Sequence, residues 1–399
     1  QLINTGAVMN YAFGDTTKGD YAYESAPNST DLTWETVITK NIGLDLGFLN
    51  NRLNVSFDAY IRDTKDMLMA GKTLPGVYGA SSPRMNVADL RTKGWEASVT
   101  WGDSFTLASK PFNYRIMAGI GDNTSKVTKY DNPNRTLTDP YEGQQLGEIW
   151  GYVVDGYFKT DEEARNYKVD QSFVNQMINA SALDNGLHAG DLKFVDLDGN
   201  NKIEQTTSAN DRKDMKVIGN SLPRYNYNFG ISADWYGIDF SVLFQGIGKQ
   251  NWYPGAETSM FWGPYSRPYA SFIPSDFMSQ VWSEENTNAY FPRPRGYVAL
   301  GSNRELAVVN TKYLQNLAYC RLKNLSIGYT LPDKWLSKIG FEKIRVYFSG
   351  ENLLTFTKLH SDYIDPEQAS ASNSWKTSKS DANIYPWAKT YSFGVDITF

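Results

Sequence analysis

The chain has 399 residues, of which 41% are hydrophobic, and a formal net charge of −5 at pH 7. This acidic balance offers no basic patch to a nucleic acid, and the lone Cys320 excludes an internal disulfide and a zinc site built on cysteines. No run of about 18 apolar residues occurs, so the sequence contains no candidate transmembrane helix.

Alternation of apolar and polar residues is the dominant pattern of the chain. Between residues 225 and 235, large apolar side chains alternate with Asn226, Asn228, Ser232 and Asp234. A period of two places the apolar side chains on one face of a strand and the polar ones on the other. Several such segments approach the ~9–11 residues that a tilted strand needs to cross a bilayer. The predicted strands cover residues 3–13, 34–48, 53–65, 93–102, 112–126, 224–235, 238–250, 318–330, 343–356 and 389–399.

The connections between these strands alternate in length. The short ones are residues 49–52, 103–111, 236–237 and 331–342. The long ones are residues 14–33, 66–92, 127–223, 251–317 and 357–388. Outer-membrane barrels have this order, with tight periplasmic turns at one rim and long extracellular loops at the other. The pattern therefore predicts a transmembrane antiparallel β-barrel, which the 14% aromatic content also suits because aromatic girdles flank such barrels.

Two connections carry signals for short helices. Thr160 is followed by three acidic residues and resembles a capping box, which predicts a helix ending near Asn166. Residues 332–339 predict one or two helical turns in a periplasmic connection.

An Asp-rich segment in the longest connection has the spacing of a calcium loop. Asp196, Asp198 and Asn200 take positions 1, 3 and 5, the carbonyl of Lys202 takes position 7, and Glu204 takes position 9. Position 6 is Asn201, which tolerates the left-handed backbone that Gly usually supplies there. Position 12 is Thr207, so Asp211 or Asp214 would have to fold back in place of the usual Glu. The alternative is an Asx-rich turn, and any Ca²⁺ would be structural.

Aromatic residues crowd a second long connection. Their faces could stack on sugar rings or hold peptide side chains, or they could pack the loop against itself or against a lid protein. The residues of this aromatic loop are Trp252, Tyr253, Phe261, Trp262, Tyr265, Tyr269 and Phe272. Trp252, Tyr253, Trp262 and Tyr265 are the candidate substrate contacts.

The final strand has the features of a barrel seam. Tyr391, Phe393, Val395, Ile397 and Phe399 point one way and the intervening polar residues point the other. We expect Phe57, Phe229, Phe240, Phe393 and Ile397 to face lipid. We expect Asp58, Arg62, Glu96, Asp234, Asp239 and Asp396 to face the lumen.

Catalytic constellations are absent from the sequence. The chain has only two histidines, His188 and His360, and a single cysteine, so it offers few residues for a nucleophilic triad or a hydrolytic zinc site. We therefore expect no enzyme.

Seven ordered segments resemble the SusC/RagA-type TonB-dependent outer-membrane transporters of Bacteroidetes. They include Gly190-Asp-Leu-Lys-Phe-Val-Asp196 and Cys320-Arg-Leu-Lys-Asn-Leu-Ser326. The full set is residues 31–35 with 41–45, 147–152 with 155–158, 190–196 through 217–220, 282–286, 320–332, 350–355, and 385–386 with the final strand.

The resemblance implies a plugged barrel of about 22 strands, of which residues 1–399 would supply roughly the last ten. It also implies uptake of oligosaccharides or oligopeptides, energised through TonB, beneath a SusD-like surface lipoprotein. No signal peptide opens the chain, and strand-like sequence follows Gln1 almost directly, so we expect the plug, the TonB contact and the first strands to precede this chain. The alternative is a soluble, calcium-stabilised β-sandwich that binds glycans.

Overall fold

The computed structural model describes residues 3–6, 12–13, 17–18, 21–24, 29, 32–71, 77, 82–174, 186–266, 273–294, 297–301, 304–336, 340–369, 379–380 and 385–399. Within these residues the chain forms two compact units. One comprises Gln1–Asn41, Tyr60–Lys93 and Thr124–Gln145, and the other Ile42–Ala59, Gly94–Asn123 and Leu146–Phe399. None of the described helices is long and apolar enough to cross a membrane.

Among the described residues, nine long strands form a single sheet whose order follows the chain from first to last. The pairings from the fourth strand to the ninth are all antiparallel. We refer to these nine as the wall strands. They are β1 Thr36–Phe48, β2 Leu53–Ala70, β3 Arg84–Leu107, β4 Lys110–Lys129, β5 Arg224–Trp235, β6 Ile238–Lys249, β7 Tyr319–Thr330, β8 Lys343–Thr357 and β9 Thr390–Thr398.

The predicted strands at these nine places are confirmed, but β2, β3 and β4 are longer than predicted. Asp66 has φ +56°, a value that usually ends a strand. Its backbone N–H nevertheless donates to Asp89 Oδ1 at 2.9 Å, and β2 continues beyond it to Ala70. The Asn86 side chain also donates to the Asp66 carbonyl at 2.6 Å. These side-chain bonds hold an irregular point within the hairpin, so residues predicted as loop belong to strands.

The predicted strand 3–13 does not join the wall among the described residues. Ile3–Gly6 pairs with Tyr21–Glu24, and Ala12–Phe13 pairs with Thr17–Lys18. The second arm of this pairing lies in residues that were predicted to be loop. Residues 7–11 lie outside the described part of the chain.

Tight turns join neighbouring wall strands, as predicted. Ala108 and Ser109 both have positive φ, as do Tyr236 and Gly237, which is the two-residue turn that matches the twist of a hairpin. Gly237 is required because its φ is +85° and a Cβ there would lie 2.7 Å from the Thr330 carbonyl oxygen.

The two faces of the wall separate as the alternation predicts. Phe240, Ile327, Phe348 and Phe393 follow one another across four strands on one face. On the other face Arg345 pairs with Asp239 at 2.6 Å and with Asp396 at 3.3 Å. Large hydrophobic side chains of the first face are solvent-exposed in this chain, among them Phe229, Phe393 and Ile397, and Phe57 of β2 is exposed as well.

One aromatic ring lies flat over a glycine where three wall strands meet. Tyr227 pairs with Gly246, which pairs with Cys320. A Cβ on Gly246 would lie 2.6 Å from the Tyr227 hydroxyl oxygen, so only glycine leaves room for the ring. The Tyr227 hydroxyl donates to the Tyr319 carbonyl at 3.0 Å, and Cys320 is a half-buried free thiol.

The long connections contain short elements of their own. The strands among them are Glu148–Tyr152, Val154–Tyr157, Leu192–Phe194, Met215–Asn220, Asn251–Pro254, Gln315–Asn316 and Lys379–Ser380. The helices are Asp161–Arg165 and Ser259–Trp262, with 3₁₀ turns at Gly263–Tyr265, Phe277–Gln280 and Tyr297–Leu300, while the helix Asp333–Leu336 lies in the short connection between β7 and β8. The helix predicted after Thr160 is confirmed, since the Thr160 hydroxyl accepts from the Glu163 N–H at 3.1 Å. The predicted turns near residues 332–339 are confirmed at Asp333–Leu336.

Candidate functional site

The long connections in the second unit fold into one structure, which we call the loop assembly: the described residues of 146–223, 250–318 and 358–389. Its hydrophobic core is contiguous and rich in aromatic rings. Phe291 stacks on Phe277 at 4.9 Å between ring centroids and on Tyr313 at 6.0 Å. The loops are therefore a packed domain core rather than independent flexible segments.

The four candidate substrate contacts all lie inside this core. Trp252, Tyr253 and Trp262 are fully buried and Tyr265 is 1% exposed. The Trp262 indole N–H donates to the Gly255 carbonyl at 2.9 Å, and the Tyr253 hydroxyl donates to the Leu306 carbonyl at 2.8 Å. This is the arrangement expected if the loop packs against itself. Substrate contact by these four rings stays a prediction, and it would require the core to open.

The other members of the predicted aromatic loop divide between the core and the part of the chain outside the described residues. Phe261 is buried and meets Trp262 edge to face at 4.8 Å. Tyr269 and Phe272 lie outside the described residues.

Tyrosine hydroxyls in the core satisfy one another and nearby carbonyls. The Tyr157 hydroxyl donates to the Tyr290 carbonyl at 2.5 Å, and the Tyr313 hydroxyl lies 3.2 Å from the same carbonyl oxygen and 3.0 Å from the Tyr157 hydroxyl oxygen. Burial raises the pKa of each of these tyrosines, and that of Tyr290 rises to about 12. They therefore stay protonated and act as neutral hydrogen-bonding groups.

A histidine and a lysine flank Tyr290, an arrangement that sequence reasoning missed. The His360 ring stacks on Tyr290 with centroids 3.5 Å apart, and the Lys312 amine lies 5.6 Å from the same ring. Burial lowers the pKa of His360, with Asp362 opposing the shift and the Lys312 charge adding to it, while burial lowers the pKa of Lys312. His360 Nε2 lies 2.8 Å from Gln280 Oε1, so His360 joins the loops at 250–318 and 358–389.

A buried ion-pair network fixes the base of the last loop to β7. Arg321, whose side chain is 3% exposed, contacts Asp365 at 2.6 Å and Glu367 at 2.5 Å. Lys323 contacts Glu367 at 2.7 Å, and Asp365 Oδ2 accepts from the Trp387 N–H at 3.1 Å. We call these residues the loop clamp. It holds both ends of the connection between β8 and β9, and the sequence signalled it only through the charged residues within 320–332.

The Asp-rich loop folds as a series of Asx turns, in which its side-chain oxygens accept nearby backbone N–H groups. Asp196 accepts backbone N–H bonds from Gly199 and Asn201, both at 2.7 Å. Asn201 has φ +63°, so it supplies the left-handed residue at position 6. Asp198 Oδ1 accepts from the Asn200 N–H at 3.1 Å.

Two of the five predicted ligands converge with a third carboxylate. Asp196, Asp198 and the buried Asp214 bring carboxylate oxygens within 4.8 Å of one another. Burial, with the nearby Asp198 and Asp196, raises the pKa of Asp214. Burial also opposes ionisation of Asp196, but backbone N–H donors outweigh it and its pKa is lowered. Asp214 was one of two carboxylates expected to fold back in place of Thr207.

The remaining predicted ligands make other contacts. Asn200 Oδ1 accepts from the Lys202 N–H at 2.8 Å, and the Asn200 amide donates to Glu204 Oε2 at 3.2 Å. Glu204 Oε1 lies 3.4 Å from the Lys213 amine. Calcium binding stays a prediction, with Asp214 in the place nearest the Asp196–Asp198 pair.

The comparison with known proteins decides the family. Residues 4–353 match the family described as TonB dependent receptor-like, beta-barrel. The chain belongs to this family. TonB-dependent receptors of this kind are outer-membrane transport proteins and not enzymes, so the soluble β-sandwich alternative is wrong.

Relatives and solved structures agree with the assignment to the TonB-dependent receptors. The chain is 28% identical over 388 residues to TonB-dependent receptor P3 of Formosa agariphila, covering 92% of this chain and 34% of the relative. It is 24% identical over 393 residues to TonB-dependent receptor SusC of Bacteroides thetaiotaomicron, covering 98% and 34%. The chain thus spans about a third of the length of these curated relatives.

A solved structure confirms the fold. The RagAB peptide importer in its open-open state aligns with a TM-score of 0.67 and 22% identity, covering all of this chain and 38% of that one. At this identity the likeness establishes a shared barrel fold. The exposed apolar face of the wall is therefore the face toward lipid, and the face that carries Asp239, Arg345 and Asp396 is the lumen face.

Proposed function

We propose that this chain supplies barrel wall and extracellular loops of a SusC-type importer, energised through TonB, that takes up oligosaccharides or oligopeptides. The proposal rests on two features that this chain combines, a wall with two different faces and long loops with a common core. The wall has a lipid face and a charged lumen face, and its long loops form a single ordered core. A receptor that only bound ligand at the surface would not need a charged lumen.

We further propose that other strands complete the barrel. Among the described residues, β1 and β9 each have a wall neighbour on one side. An unpaired backbone group in hydrocarbon costs several kcal/mol, so each free edge needs a partner. Strands and a plug from outside residues 1–399 would supply these partners, and the TonB contact would belong to the same region.

A SusD-like lipoprotein is the proposed lid. The relatives and structures that support it are SusC and the two-component RagAB importer. The surface of the loop assembly exposes Met260, Met278 and Tyr363 close to the contact between two loops, where the Ser361 hydroxyl donates to the Met260 carbonyl at 3.0 Å. Apolar side chains at that place suit a protein partner.

Uptake assays can test the function and the substrate class together. A strain that lacks the gene would be grown on oligosaccharides or on oligopeptides as the limiting nutrient, with and without a functional TonB. Loss of growth on one class, restored by the gene only when TonB is present, is the expected result. Normal growth of the deletion strain on every nutrient of both classes would contradict the proposal.

We propose that the Asp-rich loop binds a structural Ca²⁺ through Asp196, Asp198 and Asp214. The support is the convergence of three carboxylates and the left-handed Asn201, both typical of a loop suited to a hard cation. Calorimetric titration of Ca²⁺ into the chelator-treated protein tests it, with Mg²⁺ as the comparison ion. Asp198→Asn should weaken binding and Asp155→Asn, an exposed carboxylate outside the loop, should not. Equal heats for both variants and wild type would count against the site.

A further inference from the structure

An open groove of about 480 Å³ lies on the wall where β6, β7, β8 and β9 run side by side. Its side-chain lining is entirely hydrophobic or aromatic. Six of its eight lining residues are Ile238, Ile327, Tyr329, Val346, Phe348 and Phe393, and the other two, Gly328 and Tyr347, pair in the row between them.

The strand register places these six side chains on the lipid face. Ile238, Tyr329 and Val346 are paired in one row, and Ile327, Phe348 and Phe393 are paired in the next. The aliphatic side chains are shorter than the flanking rings, so they form a floor between aromatic walls. Phe348 and Phe393, with ring centroids 5.2 Å apart, form one of these walls.

The groove begins at the periplasmic rim. Ile238 directly follows the Tyr236–Gly237 turn, which is one of the short turns that mark this rim. The two rows are two residues apart along each strand, or about 7 Å. The groove therefore lies at the depth where an acyl chain of the periplasmic leaflet leaves its headgroup.

A cation lies at the same rim, on β4, two strands from the edge of the groove. The Lys110 amine lies 5.1 Å from the centre of the Tyr236 ring, in the turn that leads to Ile238. Lys110 is exposed, and no carboxylate forms an ion pair with it in the part of the chain that the structure describes. Its charge is available to a phosphate at headgroup level.

We propose that this groove binds one anionic phospholipid of the periplasmic leaflet, with an acyl chain along the groove and its phosphate near Lys110. Ordinary boundary lipid exchanges over the whole lipid face without preference. A groove with an apolar floor, aromatic walls and a nearby cation that has no ion pair among the described residues instead retains a single lipid and selects its headgroup charge.

Native mass spectrometry of the complete transporter in mild detergent tests this site. The probes are dioleoylphosphatidylglycerol and dioleoylphosphatidylcholine, which share their chains and differ in charge. Wild type should retain one phosphatidylglycerol after detergent is stripped. Val346→Trp, which fills the groove, should weaken retention at least about tenfold, or roughly 1.4 kcal/mol. Lys110→Gln should remove the preference for phosphatidylglycerol but leave retention of phosphatidylcholine unchanged.

Ile231→Trp is the matched control. Ile231 is on the same face, is 41% exposed against 42% for Val346, and lies outside the groove. Heat-dependent electrophoretic mobility shows whether each variant has formed its barrel. Folded Val346→Trp that retains lipid like wild type, or Ile231→Trp that loses it equally, would overturn the proposal.

Discussion

The wall and the loop assembly use the same aromatic residues in opposite ways. Phe393 on the wall is 83% exposed, whereas Trp262 in the loop assembly is fully buried. The wall needs no apolar core of its own, because lipid covers one face and the backbone pairs within the sheet. The loops have no lipid to cover them, so they bury their own rings. Stability in the wall thus comes from strand pairing, and stability in the loops comes from side-chain packing.

Truncation of a core ring should separate the two regions most clearly. Trp262 contacts Tyr313 at 5.2 Å and Phe261 at 4.8 Å, so Trp262→Ala leaves a large cavity and should cost the loop assembly about 3–5 kcal/mol. Hydrogen exchange should rise around residues 252–262 and stay unchanged in β5 and β6. Phe393→Ala, on the lipid face, is the control with little effect, and a wall that loosens together with the loops would show that the two regions are not separable.

Removal of the clamp arginine should have an effect of similar size. Arg321→Met leaves Asp365 buried without its cation, which should cost roughly 3–5 kcal/mol. Exchange at residues 358–369 reports the loss. Arg345→Met removes a more exposed pair on the lumen face and should cost less than about 1 kcal/mol. Equal losses at the two arginines would mean that burial does not distinguish the clamp from the lumen wall.

A charge on the lipid face should damage the wall and spare the loops. Phe229→Arg puts a cation into hydrocarbon and should cost roughly 2–4 kcal/mol near the bilayer midplane. Unfolding of the barrel in lipid vesicles by denaturant measures this cost. Asp234→Asn, on the lumen face beside Asn113, should scarcely change the midpoint. A larger loss of stability in Asp234→Asn than in Phe229→Arg would mean that the lipid and lumen faces are assigned the wrong way round.

The smallest expected effect is at a helix cap in the loops. Thr160→Ala removes the acceptor for the Glu163 N–H and should cost about 1 kcal/mol. Amide exchange in Asp161–Arg165 should rise, while Thr160→Ser should restore protection. An effect that spreads through the loop assembly would indicate that this short helix supports the aromatic core.

Local sequence patterns predicted the wall and the caps but not the loop core. The strands follow from a period of two and the turns from tight spacing, both of which involve neighbouring residues. The second strand was predicted to end at residue 65, just before Asp66. It continues because Asp89, a partner 23 residues away, stabilises the positive φ of Asp66.

The contacts of the loop assembly are more distant still. Asp214 approaches Asp196 only when the connection folds back, and Arg321 meets Asp365 across 44 residues. Nothing in the periodicity of the chain specifies such partners. The Asp-rich motif was recognised because its spacing is local, whereas the His360–Tyr290 stack had no local signal.

Cys320 gives this protein a built-in reporter of its own wall. It is the single thiol in 399 residues, and it lies half-buried in the row where the Tyr227 ring covers Gly246. Within residues 1–399 a maleimide dye would therefore attach at one known point without any engineered cysteine. The labelling rate would follow how often that ring lifts from its glycine, so the breathing of three adjacent strands can be timed in intact membranes.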